Sequence, residues 1–413
     1  MHKTKESLHH IFSDNLNQVT PSPIHSFSER VSQIPNILKL TIGEPDFAIP
    51  EHIKLAAVRA INADDSHYSV SAGTMKLRQA ASNFLEKRYD LKYEAESEIL
   101  ATVGATEGLY TIFTAILNQG DQILIPTPAY PVYAEMVRIN GGTPVFVDVS
   151  QDGFILTPSK LRQAINESKG CIKAIVLTNP SNPTGVTYTD KQLRDIADVL
   201  RETNILVISD EIYAELNYDN SHVSMAKYLP EQTVIVNGVS KSHAMTGYRI
   251  GILAGPADLI EQFNKVHCFV IMTPSNPAMA AATEAFDSEL SWHDTAQMKQ
   301  AYQNRRDFLV NELTALGFSI AKPGGAFYIF AKIPGDFIQN DVAFANDLVD
   351  KQQLAVVAGS GFGPGGEGYI RMSYAASMAM LKEAIFRLTA YARNVRQTNV
   401  LISHAEQQKI DSF

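Results

Sequence analysis

Short runs of Val, Ile and Leu alternate with amphipathic stretches through the middle of the chain. The runs are almost continuously apolar, which is typical of strands buried on both faces of a sheet. Between them apolar residues recur at helical spacing, as at Leu109, Ile112 and Ile116, in a stretch that stops at Gly120. This alternation predicts a mostly parallel sheet with helices on both sides. The predicted strands span 123–125, 145–147, 172–177, 205–208 and 233–236.

Both ends of the chain follow a different pattern. Residues 1–35 are polar and interrupted by prolines, which predicts an arm without a long helix. After about residue 274 long helical segments dominate, and we expect a second, smaller α+β domain. Its predicted elements are a helical region over 278–316, a strand pair near 327–330 and 369–372, and a final helix over 378–392.

Composition narrows the class of protein. The chain has 413 residues, of which 45% are hydrophobic and 19% charged, so we expect a globular protein of two or three domains. A net charge of −9 argues against nucleic acid as the main partner, because an acidic chain is not attracted to phosphate backbones.

Targeting and cysteine signals are weak. No apolar run approaches the ~20 residues of a membrane helix, and the first twenty residues lack the apolar core of a signal peptide. Cys171 and Cys268 are the two cysteines, and neither belongs to a CxxC pair. We therefore expect a cytoplasmic protein with no membrane partner, no disulfide framework and no metal site.

Polar motifs follow three of the predicted strands at the points where the strands end. They contain Asn182 in NPSNPTG, Asp210 in SDEIY and Lys241 in SKSHAMTGYRIG. Ligands of open α/β sheets bind beyond the carboxyl ends of the strands, so the three motifs should converge on one edge. A lysine held there among hydroxyl groups is a candidate Schiff-base nucleophile. Each motif alone is weaker, since Asn-Pro-Thr-Gly is a common turn and an aspartate after a strand is a common helix cap.

A helix start upstream adds a candidate anion site. Gly104, Ala105 and Thr106 open the helix that contains Leu109, and free N–H groups at a helix start attract anions. Arg249 adds a permanent cation that can bind phosphate through two hydrogen bonds. The alternatives are that Thr106 only caps the helix and that Arg249 forms a surface salt bridge.

On these motifs the chain resembles the class I aminotransferases of pyridoxal-phosphate fold type I. The resemblance extends from about Lys39 to Arg393 and is most specific in SKSHAMTGYRIG, with NPSNPTG, SDEIY and YIRMSYA in the same order and spacing. KLTIGEPDF and SHYSVSAG are similar to the bacterial branch of aromatic-amino-acid and N-acetyl-diaminopimelate aminotransferases. The resemblance implies an arm and part of the small domain over 1–46, a large cofactor-binding domain over 47–289 and a small domain over 290–413.

The resemblance also implies the roles of the catalytic residues. Lys241 would form a Schiff base with pyridoxal 5′-phosphate and move the proton of the substrate Cα. Asp210 would face the pyridine nitrogen and keep it protonated. Tyr213 and Asn182 would donate to the phenolate oxygen, and Tyr130 would stack on the ring.

Phosphate and substrate contacts follow from the same resemblance. Gly104, Ala105, Thr106, Ser240 and Arg249 would hold the phosphate through backbone, hydroxyl and guanidinium groups.

Three further residues are implied at the substrate and at the subunit interface. Tyr68 would reach the phosphate of a partner subunit, which makes a homodimer the expected assembly. Arg371, together with Asn182, would bind the substrate α-carboxylate, and Gly43 would let the substrate approach closely.

The expected reaction moves an amino group from an L-amino acid to a 2-oxo acid such as 2-oxoglutarate. Aromatic donors are favoured by the resemblance to that bacterial branch and by aromatic or apolar residues in segments expected at the entrance, such as Ile24, Phe27 and Phe327. N-acetyl-diaminopimelate transamination and carbon–sulfur β-elimination are the alternatives. A non-catalytic sensor is disfavoured because Lys241, Asp210 and Arg371 are all present.

Overall fold

The computed structural model describes residues 5, 8, 11–21, 23–168, 170–219 and 221–410. The strands are β1 Leu38–Lys39, β2 Ile99–Thr102, β3 Gln122–Thr127, β4 Thr143–Asp148, β5 Ile172–Thr178, β6 Leu206–Asp210, β7 Thr233–Gly238, β8 Gly251–Ala254, β9 Ser319–Ile320, β10 Tyr328–Lys332, β11 Leu354–Ala355, β12 Val357–Ala358 and β13 Tyr369–Ser373. The helices are α1 Pro23–Ser32, α2 Glu51–Asn62, α3 Met75–Tyr89, α4 Gly104–Ile116, α5 Val132–Ile139, α6 Pro158–Glu167, α7 Asp190–Leu200, α8 Ala257–Val270, α9 Asn276–Asp287, α10 Glu289–Ala315, α11 Asp341–Gln352 and α12 Met378–Ile410.

A seven-stranded sheet with the order β2-β8-β7-β6-β5-β3-β4 forms the centre of the large domain. Only β8 runs antiparallel to its two neighbours, so the predicted mostly parallel sheet is confirmed. Alternate residues of β5 enter different apolar clusters, with Ile175 and Leu177 on one face and Ala174 and Val176 on the other. The sheet is therefore buried on both faces, which explains the continuous apolar runs.

A smaller antiparallel sheet has the order β12-β13-β10-β9, and it contains the predicted strand pair. Strand β10 pairs with β13 so that Phe330 lies opposite Arg371. Separately, β1 pairs in parallel with β11, which joins the segment after the N-terminal arm to the C-terminal part of the chain. The expected α+β part is thus confirmed, and it includes residues from both ends of the chain.

Two sequence predictions about helices were wrong in detail. The region over 278–316 forms two helices, because Ser288 adopts an extended conformation between α9 and α10. The last helix continues past Ala392 to Ile410, since no glycine or proline stops it. The arm contains a short helix of ten residues, α1, which does not contradict the prediction of no long helix. It begins at Pro23, a position where the missing N–H of proline costs no helical hydrogen bond.

Within the described ranges no helix is both long and apolar enough to cross a membrane.

Candidate active site

The carboxyl ends of β5, β6 and β7 meet at a cleft of about 1100 Å³. Asn182, Asp210, Ser240 and Lys241 line it from these strand ends, as the motif positions predicted. We call these four residues the sheet-edge wall. The small antiparallel sheet contributes Tyr328 and Arg371 to the same cleft, and we call these two residues the small-sheet wall.

Lys241 lies with its amine inside the cleft. Its Nζ donates a hydrogen bond to the carbonyl oxygen of Gly43 at 2.8 Å. Burial and the nearby cations Arg249 and Arg371 together lower the pKa of Lys241 to about 8, although Glu44 opposes the shift. A substantial fraction of the amine is therefore neutral near pH 8 and can act as a base or a nucleophile.

Asp210 is a buried carboxylate, only 4% exposed. Its Oδ2 accepts a hydrogen bond from the hydroxyl of Tyr133 at 2.5 Å, and its Oδ1 accepts one from the N–H of Ile212 at 3.2 Å. Burial raises the pKa of Asp210 to about 6, against the hydrogen bonds that favour the charged form. Such a carboxylate suits a cationic or N–H partner supplied by a ligand.

The first turn of α4 lies beside Arg249. Ala105, Thr106 and Arg249 line the cleft, and Gly104 has a φ of +74°, a conformation that favours glycine. A Cβ on Gly104 would lie 2.6 Å from Nη2 of Arg249, so the guanidinium sits directly against this backbone. Thr106 lies inside the helix and is not its cap, because the N-cap residue is Val103. The alternative role of Thr106 as a helix cap is therefore wrong.

Arg371 is held deep in the cleft and is 5% exposed. It donates to Oδ1 of Asn182 at 3.0 Å and to the carbonyl oxygen of Thr41 at 2.6 Å. Its guanidinium lies 4.5 Å from the ring centroid of Tyr328 and 4.8 Å from that of Phe362. Its Nε is buried and has no partner among the described residues, so the side chain retains a free donor for an anionic ligand.

Tyrosines complete the walls of the cleft. The hydroxyl groups of Tyr213 and Tyr328 lie 2.8 Å apart, and the ring of Tyr130 packs edge-on against Tyr133. Gly43 also lines the cleft, and a Cβ on it would overlap the hydroxyl of Tyr328 at 1.8 Å. Only a glycine can therefore bring this backbone so close to the tyrosine.

Two predicted site residues do not line the cleft. Gly104 packs against Arg249 but does not itself line the cleft, and Tyr68 is 82% exposed. The entrance residues also need a correction, because Phe327 is fully buried in the core and Phe27 does not line the cleft. Among the three apolar entrance residues, Ile24 alone lies in the cleft wall.

Sequence reasoning missed Tyr133 and Tyr328. Tyr133 lies in the first turn of α5, three residues after the predicted Tyr130, and this closeness in sequence was an available signal. Tyr328 had no such signal, because it reaches the cleft only through the pairing of β10 with β13.

Comparisons with known proteins agree with this geometry. Residues 35–388 match the family model described as aminotransferase class I and II. A probable N-acetyl-LL-diaminopimelate aminotransferase of Bacillus subtilis is 39% identical, over 96% of this chain and 100% of that protein.

Solved structures are similar over most of the chain. An aspartate aminotransferase from Thermus thermophilus, solved with maleate, superposes with a TM-score of 0.87 at 34% identity, covering 92% of this chain and 99% of that one. An aromatic aminotransferase from Pyrococcus horikoshii gives a TM-score of 0.84 at 35% identity, covering 90% and 99%.

Proposed function

The chain belongs to the aminotransferase class I and II family, as its motifs predicted, and we propose that its cleft binds pyridoxal 5′-phosphate to exchange amino groups between L-amino acids and 2-oxo acids. One observation carries the proposal. A lysine with a lowered pKa, a buried carboxylate and a buried arginine with a free donor line a single cleft.

The residues of the cleft fit this cofactor. The buried carboxylate of Asp210 suits a pyridinium N–H, and the first turn of α4 with Arg249 suits a phosphate. The amine of Lys241 would hold the aldehyde carbon. When bound, the cofactor acts as an electron sink for negative charge at the substrate Cα. The remaining contacts would come from Tyr130 at the ring face, Asn182 and Tyr213 at the phenolate oxygen, and Ser240 at the phosphate.

The side chains would divide the reaction between them. Arg371 would bind the α-carboxylate with its planar guanidinium, which orients the Cα–H bond of the donor. Lys241, freed once the amino group of the donor has taken its place on the aldehyde carbon, would then take the proton from Cα and return it to that carbon. Asp210 would keep a proton on the ring nitrogen throughout. The net reaction converts an amino acid and a 2-oxo acid into the corresponding 2-oxo acid and amino acid.

Aromatic amino acids are the proposed donors, with 2-oxoglutarate as the acceptor. Support comes from apolar residues that line the cleft, which include Ile24 of the arm, Met136 and Phe146. Aromatic side chains gain most from such a wall.

N-acetyl-LL-diaminopimelate is the second candidate donor. The B. subtilis relative carries that activity in its name, and the cleft of this chain extends beneath the arm as far as Arg138. Arg138 pairs with Glu135 at 2.6 Å, so a long donor would meet charged groups at its far end.

A donor-by-acceptor activity panel tests the proposal. Purified protein loaded with the cofactor is assayed with phenylalanine, tyrosine, aspartate and N-acetyl-LL-diaminopimelate, each with 2-oxoglutarate. We expect glutamate formation with the aromatic donors at the highest kcat/KM. A panel in which both aromatic donors are far poorer than another donor rejects the aromatic preference. Pyruvate release from cysteine-type substrates without an acceptor would instead indicate a β-lyase.

We also infer that two copies of the chain share each active site through Tyr68. The side chain is 82% exposed and does not line the cleft of its own chain, so it is available to a second copy. Mixing Tyr68→Ala chains with Lys241→Ala chains tests this inference. The mixed dimer would contain one site with both intact residues, and activity should rise above that of either variant alone. No rise after proven subunit exchange would contradict it.

A further inference from the structure

A buried ion pair joins the first turn of α4 to α8. His267 of α8 is fully buried, and the side chain of Glu107 is 9% exposed. Nδ1 of His267 faces both carboxylate oxygens of Glu107 at 3.1 and 3.2 Å, and its Nε2 faces the carbonyl oxygen of Ser71 at 3.1 Å. Neither side chain was assigned a role by the motifs.

The geometry fixes the protonation of the pair. A carbonyl oxygen only accepts, so Nε2 of His267 must donate to Ser71. Burial opposes the charged form of Glu107, but hydrogen bonds from His267, Thr111 and the N–H of Val103 lower its pKa below the usual value. Both oxygens of Glu107 accept hydrogen bonds, from Val103 and from Thr111, as an ionised carboxylate does, so Nδ1 of His267 is placed as a donor to it. His267 thus carries a positive charge that compensates Glu107.

Glu107 shapes the turn that would bind phosphate. Its Oε2 accepts the N–H of Val103 at 3.0 Å and its Oε1 accepts the hydroxyl of Thr111 at 2.6 Å. The carboxylate therefore braces the turn that contains Ala105 and Thr106. It also brings a negative charge next to the proposed anion site, where an uncompensated carboxylate would repel phosphate.

His267 reaches a second segment as well. Ser71 lies three residues after Tyr68, and its hydroxyl donates to Oδ1 of Asn264 on α8 at 2.8 Å. The carbonyl oxygen of the adjacent Ala72 accepts the N–H of Ala101 in β2, the strand that precedes α4. Helix α8 therefore fixes the Tyr68 segment and the first turn of α4 relative to each other.

We propose that His267 is a positioning residue for the cofactor phosphate: its imidazolium neutralises Glu107 so that the first turn of α4 keeps both its shape and its attraction for a dianion. The proposal rests on the proposed function, because it requires that pyridoxal 5′-phosphate binds in the cleft. It predicts a defect that depends on the phosphate group alone.

Equilibrium titrations with two ligands separate this role from a general structural one. Pyridoxal 5′-phosphate and pyridoxal, which lacks the phosphate, are titrated into the full-length wild type and His267→Gln, and binding is followed by absorbance. We expect His267→Gln to weaken pyridoxal 5′-phosphate by about tenfold, as loss of a charge partner implies, and pyridoxal by less than about twofold.

A second substitution gives the sign of the effect. Adding Glu107→Gln to His267→Gln removes the uncompensated carboxylate, so the double variant should bind pyridoxal 5′-phosphate more tightly than His267→Gln alone. His52→Gln is the matched control, since His52 also bridges two groups, Glu284 and Asp294, but lies outside the cleft. It should leave both affinities unchanged.

The outcomes distinguish a failure of the proposed role of His267 from a failure of the proposed function. Equal weakening of both ligands, no weakening, or a double variant that binds worse than His267→Gln overturns the role of His267. If His267→Gln does not fold, Glu107→Gln is compared with His267→Asn instead. Glu107→Gln lacks the carboxylate, whereas His267→Asn keeps the carboxylate without its partner. The proposal expects the smaller phosphate-specific change in Glu107→Gln. A wild type that binds neither ligand refutes the proposed function itself.

Discussion

The two walls of the cleft are built in different ways. On the sheet-edge wall, Asp210 and Lys241 lie at or just after strand ends, and burial shifts their pKa values toward each other, to about 6 and about 8. On the small-sheet wall, Arg371 lies in the middle of a strand and is held by Thr41 and Asn182 from distant parts of the chain. On the sheet-edge wall, burial therefore sets the pKa values of the titratable side chains. On the small-sheet wall, hydrogen bonds hold a permanently charged guanidinium in one position. We therefore expect substitutions on the first wall to change chemistry and those on the second to change recognition.

Lys241→Ala should have the largest effect on the sheet-edge wall. Without the amine no group in the wall can move the Cα proton, so turnover should fall by about 10⁴-fold. Steady-state assays and the visible absorbance band of the loaded protein measure the two consequences. Lys299→Ala is the control, because burial also lowers the pKa of Lys299 but the residue does not line the cleft. Residual turnover near the wild-type value in Lys241→Ala would contradict the assignment.

Arg371→Ala should show the recognition character of the small-sheet wall. We expect substrate binding to weaken by about 2–5 kcal/mol, as for loss of a buried charged partner, while cofactor remains bound. Substrate titration of the loaded protein measures the loss. Arg371→Lys keeps the charge without the planar fork and should recover only part of the affinity. Unchanged affinity in Arg371→Ala would remove the distinction between the walls.

Asp210→Asn should make the cofactor-free protein more stable while it abolishes the function of the sheet-edge wall. The folded state holds the Asp210 proton more tightly than the unfolded chain, so wild-type stability falls as the pH rises from about 4 to about 6. A pKa of about 6 instead of 3.8 corresponds to a free energy of unfolding that is lower by about 3 kcal/mol above that pH range. Denaturant unfolding at pH 4 and pH 7 measures it.

The asparagine variant should lack that loss and unfold at higher denaturant at pH 7. Asp341→Asn is the control, since the Asp341 carboxylate accepts the N–H of Ser360 and its removal should not stabilise the protein. An Asp210→Asn protein no more stable than wild type at pH 7 would show that burial does not destabilise the charged form of this carboxylate.

Tyr133→Phe should have the smallest effect and the most specific one. The lost hydroxyl donates to Asp210 and favours its charged form, so the variant should raise the pKa of Asp210 further. The fall in stability with pH should then extend to higher pH, and the free energy of unfolding should change by about 1 kcal/mol. The pH dependence of unfolding measures the shift. Tyr188→Phe removes a buried hydroxyl that accepts from Leu156 instead, and it should leave the profile unchanged.

The two walls also differ in how far the sequence predicts them. Asn182, Asp210 and Lys241 could be placed together because the carboxyl ends of buried parallel strands meet at one edge, and the strands were visible as apolar runs. The family resemblance, which the comparisons confirm, added Arg371 and Gly43.

Contacts between distant segments were not predictable. The approach of Tyr328 to Gly43, the bond from Arg371 to Thr41 and the pair of Glu107 with His267 depend on packing that no local pattern encodes. The break at Ser288 was missed for a related reason, since apolar spacing continues through it and only the backbone conformation reveals the end of α9.

The central claim is that the amine of Lys241 bonds covalently to an aldehyde cofactor. Borohydride reduction of the protein loaded with pyridoxal 5′-phosphate, followed by peptide mass spectrometry, tests it directly. The account predicts that the reduced cofactor is attached to the peptide that contains Lys241 and that Lys241→Ala carries none. Attachment to another lysine, or no attachment in a protein that binds the cofactor, would contradict it.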